Sequence, residues 1–271
     1  PRLRTEVADG AETGRLWLNE GWLRLRPLEG VSLQAGREAL LWGPAMFWNP
    51  SNPFFTQNNR ANPQQELAGR DFIRARWQWN RAWSVSAISQ VGRGHDNPGP
   101  ARRDALKLDW IGPNASAAAL VAAEPNGAAG WHGWAQWTAS DAVLLYGELG
   151  WSPAQANTVA TRSASPTGWL VEPQQATGGR TAKVLVGGTY TFANGWSLAA
   201  EFWHNGDGLG GDDANLIGDA VRSLDAQPRG QADAQLGALL AGARRPWRRN
   251  YAGLQLLNSS EAKTGWLFRY T

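Results

Sequence analysis

Cysteine is absent from the 271 residues of this chain, which excludes a disulfide framework and a thiolate metal site. The chain also lacks a run of about 18 consecutive apolar residues, the length that a transmembrane helix requires. The longest candidate, at 115–123, is mostly alanine and too short to cross a bilayer as a helix. A helical membrane protein is therefore not expected.

Charge is also scarce. Charged residues make up 18% of the chain, the net charge is +3, and no basic stripe with interleaved aromatic residues appears, so we expect no nucleic-acid partner. The histidines His95, His132 and His204 do not have the spacing of metal ligands, and no serine nucleophile stands near them in a recognisable context. We predict no bound metal, no cofactor and no enzymatic activity.

Glycine, proline and tryptophan are abundant. The 32 glycines and 15 prolines are typical of a turn-rich all-β chain, and the 17 tryptophans are a large excess. Indole rings favour the headgroup level of a bilayer, where transmembrane barrels carry two aromatic girdles. A GC-rich genome, which raises the tryptophan and arginine contents together, is the alternative explanation. The tryptophans near the ends of predicted strands are Trp17, Trp22, Trp42, Trp48, Trp77, Trp79, Trp83, Trp110, Trp131, Trp137, Trp151 and Trp196.

Several segments alternate between apolar and polar residues. At 72–80, for example, apolar residues alternate with Arg74 and Arg76, and the Asn194-Gly195 pair between two such segments indicates a hairpin. A period of two places the two sets on opposite faces of a strand. A soluble sheet would cover its apolar face with a second layer, but only 232–243 has a helical pattern. Lipid outside and water inside would satisfy the pattern without a second layer, and a soluble β-sandwich remains the alternative.

The connections between these segments alternate between tight and long. The tight links fall at 27–30, 80–82, 112–114, 139–141, 193–195 and 259–263, and the long ones at 44–70, 93–103, 124–130, 152–180 and 206–248. Outer-membrane barrels have short periplasmic turns and long extracellular loops. We therefore predict an all-β, antiparallel, up-and-down transmembrane β-barrel that forms a single domain over 1–271.

The alternation predicts about 13 strands of roughly ten residues each. They lie at 2–8, 15–26, 31–43, 71–80, 82–92, 104–111, 115–123, 131–138, 142–151, 181–192, 196–205, 249–258 and 264–271. Bacterial barrels normally have an even number of strands. Either one strand is miscounted or flanking strands are missing, and we favour a fragment of a larger barrel. The chain begins at Pro1 without a signal peptide, as a processed protein or an excised fragment would.

One motif resembles a known family. Residues 36–44 read GREALLWGP and residues 48–53 read WNPSNP. The pair resembles the signature G-(R/K)-(Q/E)-x-x-x-W-G followed by N-P-x-(N/D)-P of large Gram-negative outer-membrane porin-like barrels, which include capsule-assembly-type and polysaccharide- or hydrocarbon-associated members. Residues 186–208 are similar to a late hairpin of such proteins. The resemblance implies a barrel in the bacterial outer membrane and, because family members are longer, missing strands; it does not imply a substrate.

The long connection at 44–70 follows directly on this motif. Loops longer than about 15 residues without regular structure are usually functional or disordered. This one either folds into the lumen and narrows the pore or caps the outer surface. The candidate constriction residues are Trp48, Asn49, Asn52, Phe54 and Phe55.

The polar face of the predicted barrel carries charges of both signs, and rings of charge tune the ion selectivity of pores. The candidate pore-lining residues are Arg24, Arg26, Arg74, Arg76, Lys107, Asp109, Glu148, Lys183 and Glu201. They either select the solute or only keep the lumen hydrated. At the rim, Arg244, Arg245, Arg248 and Arg249 are candidates for pairing with lipopolysaccharide phosphates, or form an ordinary basic patch.

The leading hypothesis for function is a porin-like channel for passive diffusion of small polar or anionic solutes. The alternative is an outer-membrane barrel that binds polysaccharide or assembles capsule or other surface material, and a soluble carbohydrate-binding β-protein comes third. The expected partners are outer-membrane lipid, lipopolysaccharide and a small polar solute or polysaccharide. The sequence leaves open whether the chain forms a homo-oligomer, because an oligomer-forming outer face has the same alternation of apolar residues as a lipid-facing one.

Overall fold

The computed structural model describes residues 2–6, 15–57, 67–95, 102–124, 127–155, 157–162, 168–174, 179–224, 229–230, 232–233, 236–237, 248–258 and 267–270. Almost all of its regular structure is β-strand. The strands are β1 (Arg2–Glu6), β2 (Arg15–Leu28), β3 (Val31–Glu38), β4 (Arg70–Gln78), β5 (Trp83–Gly92), β6 (Arg103–Ile111), β7 (Ala115–Ala123), β8 (Ala129–Ser140), β9 (Val143–Pro153), β10 (Asn157–Arg162), β11 (Trp169–Gln174), β12 (Arg180–Thr191), β13 (Trp196–Asn205), β14 (Asn250–Asn258) and β15 (Leu267–Tyr270). Helix α1 (Gly211–Arg222) lies between β13 and β14, and residues 229–230, 232–233 and 236–237 of the same connection are also helical.

Thirteen of these strands form one antiparallel sheet in chain order, from β1 through β9 and then β12 to β15. They correspond one to one to the strands predicted from the alternation. The all-β, up-and-down fold class is thus confirmed, whereas the sheet is not closed into a barrel: within the described residues β1 and β15 are the two edges and do not pair with each other.

Short and long connections lie at opposite ends of the sheet, because successive strands run in opposite directions. We call the end with the links 29–30, 79–82, 112–114, 141–142 and 192–195 the turn end, and the other end the loop end. Glycine permits two of these turns: Gly30 and Gly195 have φ of 72° and 83°, a region that L side chains rarely adopt. The sixth predicted turn, at 259–263, lies outside the described residues.

The two faces of the sheet differ as predicted. We call the face that carries Phe72, Glu148 and Leu185, each at most 3% exposed, the inner face. On the opposite, outer face, no element among the described residues covers apolar side chains such as Leu106 (52% exposed) and Val186 (54%). Other exposed apolar residues of the outer face are Leu23, Leu25, Leu33, Ile73, Trp77, Leu108, Leu145, Leu149, Trp151, Val184, Tyr190, Leu198 and Phe202. A continuous apolar surface of this extent marks an interaction with lipid or protein.

An aromatic row crosses the turn end. The ring centroids of Trp77 and Trp79 lie 5.7 Å apart, those of Trp79 and Trp83 6.3 Å, and those of Trp83 and Trp110 6.4 Å. At the other end of the strands, Trp131 of β8 pairs in register with Trp151 of β9.

Trp42 and Trp48 do not belong to either of these rows. Both lie in the β3–β4 connection, because β3 ends at Glu38 and not at residue 43 as predicted. Their rings pack on the loop and on the inner face: the Trp42 Nε1 donates to the Ser51 carbonyl (3.2 Å), and Trp48 stacks on Trp203.

Two elements inside the long loops were not predicted. Strands β10 and β11 form a separate hairpin within the predicted loop 152–180. Helix α1, with buried Ile217 and Ala220, packs against that hairpin through Ala160 and Trp169. The helical pattern predicted at 232–243 is described only at 232–233 and 236–237, and these residues are helical. The two glycines of α1 lower its helix propensity, which explains the miss. No helix in the described ranges has the length and apolar character to cross a membrane.

Candidate functional site

The first part of the β3–β4 connection folds back onto the inner face of the sheet. We call residues 39–57 the inserted loop. Phe54 (2% exposed) and Phe55 (6%) pack against Phe72 of β4, with ring centroids 5.2 and 6.4 Å away. Residues 44–57 of the predicted long connection 44–70 thus lie against the inner face of the sheet; residues 67–70 are also described, whereas 58–66 lie outside the described residues.

Asparagine side chains give the inserted loop its shape. The Asn52 Nδ2 donates to the Leu40 carbonyl (2.9 Å), and its Oδ1 accepts from the backbone N–H groups of Phe54 (3.0 Å) and Phe55 (3.1 Å). Asn49 donates in the same way to the Trp42 carbonyl (2.7 Å). Both side chains are at most 1% exposed. These two predicted constriction residues act on the fold of the loop and do not present their amides to the open surface.

Glu148 of β9 holds the loop at two points. Its Oε1 accepts a hydrogen bond from the backbone N–H of Ala45 (3.0 Å). Its Oε2 accepts from the Ser51 N–H (3.2 Å) and hydroxyl (2.8 Å). Hydrogen bonds to a carboxylate are about twice as strong as neutral ones, so one side chain secures both sides of the tight bend between Ala45 and Ser51.

Glu201 of β13 holds the same loop at Met46 and Phe47, the two residues that follow Ala45. Its carboxylate accepts hydrogen bonds from the backbone N–H groups of Met46 and Phe47, the second at 3.1 Å. The Tyr146 hydroxyl donates a further hydrogen bond to it (2.7 Å). Glu148 and Glu201 are 3% and 6% exposed. Each is surrounded by donors from the loop and its neighbours, which offset the cost of burying a charge.

Aromatic rings add a third attachment. Trp48 stacks on Trp203 of β13 with centroids 4.9 Å apart, and Trp203 stacks in turn on Tyr251 of β14 at 5.0 Å. On the opposite side of the loop, the Lys107 ammonium lies 5.3 Å from the centroid of the Trp42 ring. The loop is thus attached to strands from β4 to β14.

Glycines on the inner face leave room for this contact. A Cβ on Gly150 of β9 would lie 2.5 Å from the Pro50 carbonyl oxygen, and one on Gly253 of β14 would lie 2.7 Å from the Phe47 ring. Both distances are well inside van der Waals contact. The backbones of these strands are therefore part of the docking surface of the loop.

A second feature of the inner face is a cavity of about 510 Å³ at the turn end, which we call the basic cavity. Arg24 and Arg26 of β2 and Arg74 and Arg76 of β4 line it. The strand between them contributes the neutral side chains of Ser32 and Gln34. In register, Gln34 lies between Arg24 and Arg74, and Ser32 lies opposite Arg76.

The arginines of the basic cavity have few acidic partners. Arg74 pairs with Glu38 (Nε–Oε1 3.1 Å), whereas Arg24 donates to the neutral Gln34 amide oxygen (2.8 and 2.6 Å). Arg76 donates to the Ser84 hydroxyl (3.2 Å). Their charge is therefore only partly neutralised.

All nine predicted pore-lining residues lie on the inner face, but they separate into three groups. The acidic Glu148 and Glu201 are covered by the inserted loop. Lys107 pairs with Asp109, and Lys183 pairs with Asp207 (2.7 Å). The charges that remain toward the open part of the face are those of the arginines of the basic cavity.

A buried ionic cluster at the loop end was not predicted. The Glu124 carboxylate pairs with Arg103 (2.8 Å) and lies 3.6 Å from His132 Nε2, and all three side chains are at most 7% exposed. Burial alone would raise the pKa of Glu124, but the nearby His132 imidazole and the charge of Arg103 outweigh it, so the pKa lies below its ordinary value. No sequence signal marks the cluster, because the partners are brought together only by strand pairing.

The remaining predicted sites are only partly described. Arg244 and Arg245 lie outside the described residues, and the Arg249 Nε donates to the Gly208 carbonyl (3.3 Å). Among the described residues, no group of three or more His, Asp or Glu side chains is placed to hold a metal ion. The chain matches no protein-family model and no curated protein. Its function has to be argued from the geometry of the sheet, the inserted loop and the basic cavity.

Proposed function

We propose that the chain forms a porin-like channel in the bacterial outer membrane, through which small polar or anionic solutes diffuse passively. The observation that carries the proposal is the opposite chemistry of the two faces of one uncovered sheet. Leu25 and Arg26 are neighbours in β2, yet Leu25 is 56% exposed on the apolar face, whereas Arg26 lines the open basic cavity on the opposite face. Lipid on one side and water on the other satisfy both faces without a second protein layer.

The aromatic row at the turn end supports the position of the sheet in a bilayer. Indole and phenol rings favour the boundary between headgroups and acyl chains, and the row from Trp77 to Trp110 lies where the strands end. Outer-membrane lipid accordingly contacts the outer face of the sheet. Lipopolysaccharide contacts the same face at the loop end.

The inserted loop would act as the constriction of the proposed channel. It occupies part of the inner face between β4 and β14 through backbone and side-chain contacts, and this narrows the water-filled path beside the sheet. The basic cavity lies on the part that the loop leaves open. A path lined by arginines attracts anions, so the channel favours them over cations.

Single-channel recording tests the proposal. Protein folded in detergent is added to a planar bilayer with a tenfold potassium chloride gradient, and the expected result is discrete conductance steps with a reversal potential of the anion-selective sign. Heat-modifiable migration in detergent gels checks that a membrane β-structure has formed. Protein that stays soluble without detergent would overturn the membrane assignment. Protein that inserts without conducting would overturn the channel and favour the polysaccharide-binding barrel.

A further inference from the structure

The basic cavity has the chemistry of an anion-binding site. Four guanidinium groups and the carboxylate of Glu29 line it, and Glu38 pairs with one of the four, Arg74, so that among these groups positive charges outnumber negative ones by two. Within the described residues, Arg26 has no hydrogen-bond or ion-pair partner, and the partner of Arg76 is a neutral hydroxyl.

The strand order gives the arginines a regular spacing. Arg24 and Arg26 stand on β2, Arg74 and Arg76 stand on β4, and β3 runs between the two pairs. Two interstrand spacings separate the pairs by roughly 10 Å at the backbone. Long guanidinium side chains from both strands reach a solute between them from opposite sides. The intervening Gln34 amide, itself 6% exposed, forms a polar floor.

The guanidinium group selects the kind of anion. Its planar fork donates two parallel hydrogen bonds to a carboxylate or a phosphate, which chloride cannot accept in the same way. A volume of about 510 Å³ admits a small organic solute and excludes a folded chain. The surplus of two charges matches a ligand with two negative charges.

We propose that the basic cavity is a binding site for small oxygen-bearing dianions, such as phosphate, phosphate monoesters or dicarboxylates, held by Arg26 and Arg76 with Arg24 and Arg74 beside them. The inference deepens the proposed function, since it names the solute class that the channel concentrates at its turn end. The site itself does not require conduction.

Equilibrium dialysis with radiolabelled inorganic phosphate tests the site on the full detergent-folded chain. We expect saturable binding in low salt and a loss of affinity of about tenfold in R26Q and in R76Q, with no saturable binding in the double variant. The matched control is R102Q, which removes the same charge from a side chain that is 81% exposed at the loop end. Equal binding by the control and the double variant would overturn the proposal.

Conductance separates this inference from the function on which it rests. In a channel that conducts chloride, millimolar phosphate or succinate is expected to reduce the chloride current in a saturable way in the wild type and in R102Q, but not in the double variant. Inhibition by phosphate alone or succinate alone would identify which dianion the site prefers. Conduction without saturable inhibition or binding would refute the site and keep the channel. Phosphate binding without conduction would keep the site and refute the channel.

Discussion

Replacing Glu148 by glutamine is the most direct test of how the inserted loop is held. The carboxylate accepts three hydrogen bonds, one from Ala45 and two from Ser51. The amide of glutamine has one acceptor oxygen, and its NH₂ group would face donors. Exchanging charged for neutral hydrogen bonds and leaving one donor unsatisfied weakens the attachment by about 2–3 kcal/mol.

Hydrogen exchange at individual loop amides measures this loss. A weakening of 2–3 kcal/mol corresponds to roughly 30- to 150-fold faster exchange at the Ala45 and Ser51 amides, if they exchange by local opening of the loop. Exchange within the neighbouring strands is expected to stay unchanged. In the channel, the same variant is expected to conduct more current, because the loop is less often in place.

The control is Glu29→Gln, which removes a carboxylate from the inner face at the turn end, far from the Glu148 hydrogen bonds. It is expected to leave the exchange rates of the loop amides as they are in the wild type. If the Ala45 and Ser51 amides of Glu148→Gln exchanged as slowly as those of the control, Glu148 would not be what anchors the loop, and the reasoning would be refuted.

Two further predictions concern the loop and the loop-end cluster. Gly150→Ala places a methyl group 2.5 Å from the Pro50 carbonyl oxygen and is expected to displace the inserted loop. The tryptophan fluorescence of this variant should shift to longer wavelength. The control Gly211→Ala, which has open space around its Cβ, should leave the spectrum unchanged. Glu124→Gln removes a carboxylate whose pKa is depressed in the fold mainly by His132 and Arg103 against the effect of burial. The wild type should therefore be more stable than the variant above the unfolded-state pKa of about 4.3, and this advantage in stability should disappear as pH falls through the lower folded-state pKa. Denaturation of both proteins at pH 7 and at pH 3 measures the advantage. An advantage that persisted at low pH would contradict the assignment.

Strand positions and faces were predictable from the sequence because they depend on local geometry. A period of two decides which side chains share a face whatever the strand's neighbours are. This is why Leu106 and Lys107 could be assigned to opposite faces without knowledge of the pairing. The Asn194-Gly195 turn was predictable for a similar reason, since Gly195 adopts a φ of 83° that few other residues tolerate.

The errors fall where local signals are weak. Strands β10 and β11 have six residues each and lie within a long connection rich in polar residues, so no extended alternation marks them. Helix α1 contains Gly211 and Gly218, which weaken its helical signal, and its buried face depends on packing against β10 and β11. The predicted end of β3 is five residues too late because residues 39–43 are apolar. In the structure these residues pack within the inserted loop and do not belong to the strand.

The sequence by itself determined the all-β class, the order of the strands, the alternation of tight and long links, and the division into an apolar and a charged face, because each follows from neighbours along the chain. Only the tertiary structure decided what the charges do. Glu148 meets Ala45 across 103 residues of sequence, and this contact depends on the registers of all the strands between β3 and β9. The same registers place the neutral Gln34 between Arg24 and Arg74, and the neutral Ser32 opposite Arg76. The inner face is thus divided into an acidic part that binds the chain's own loop and a basic part that stays open.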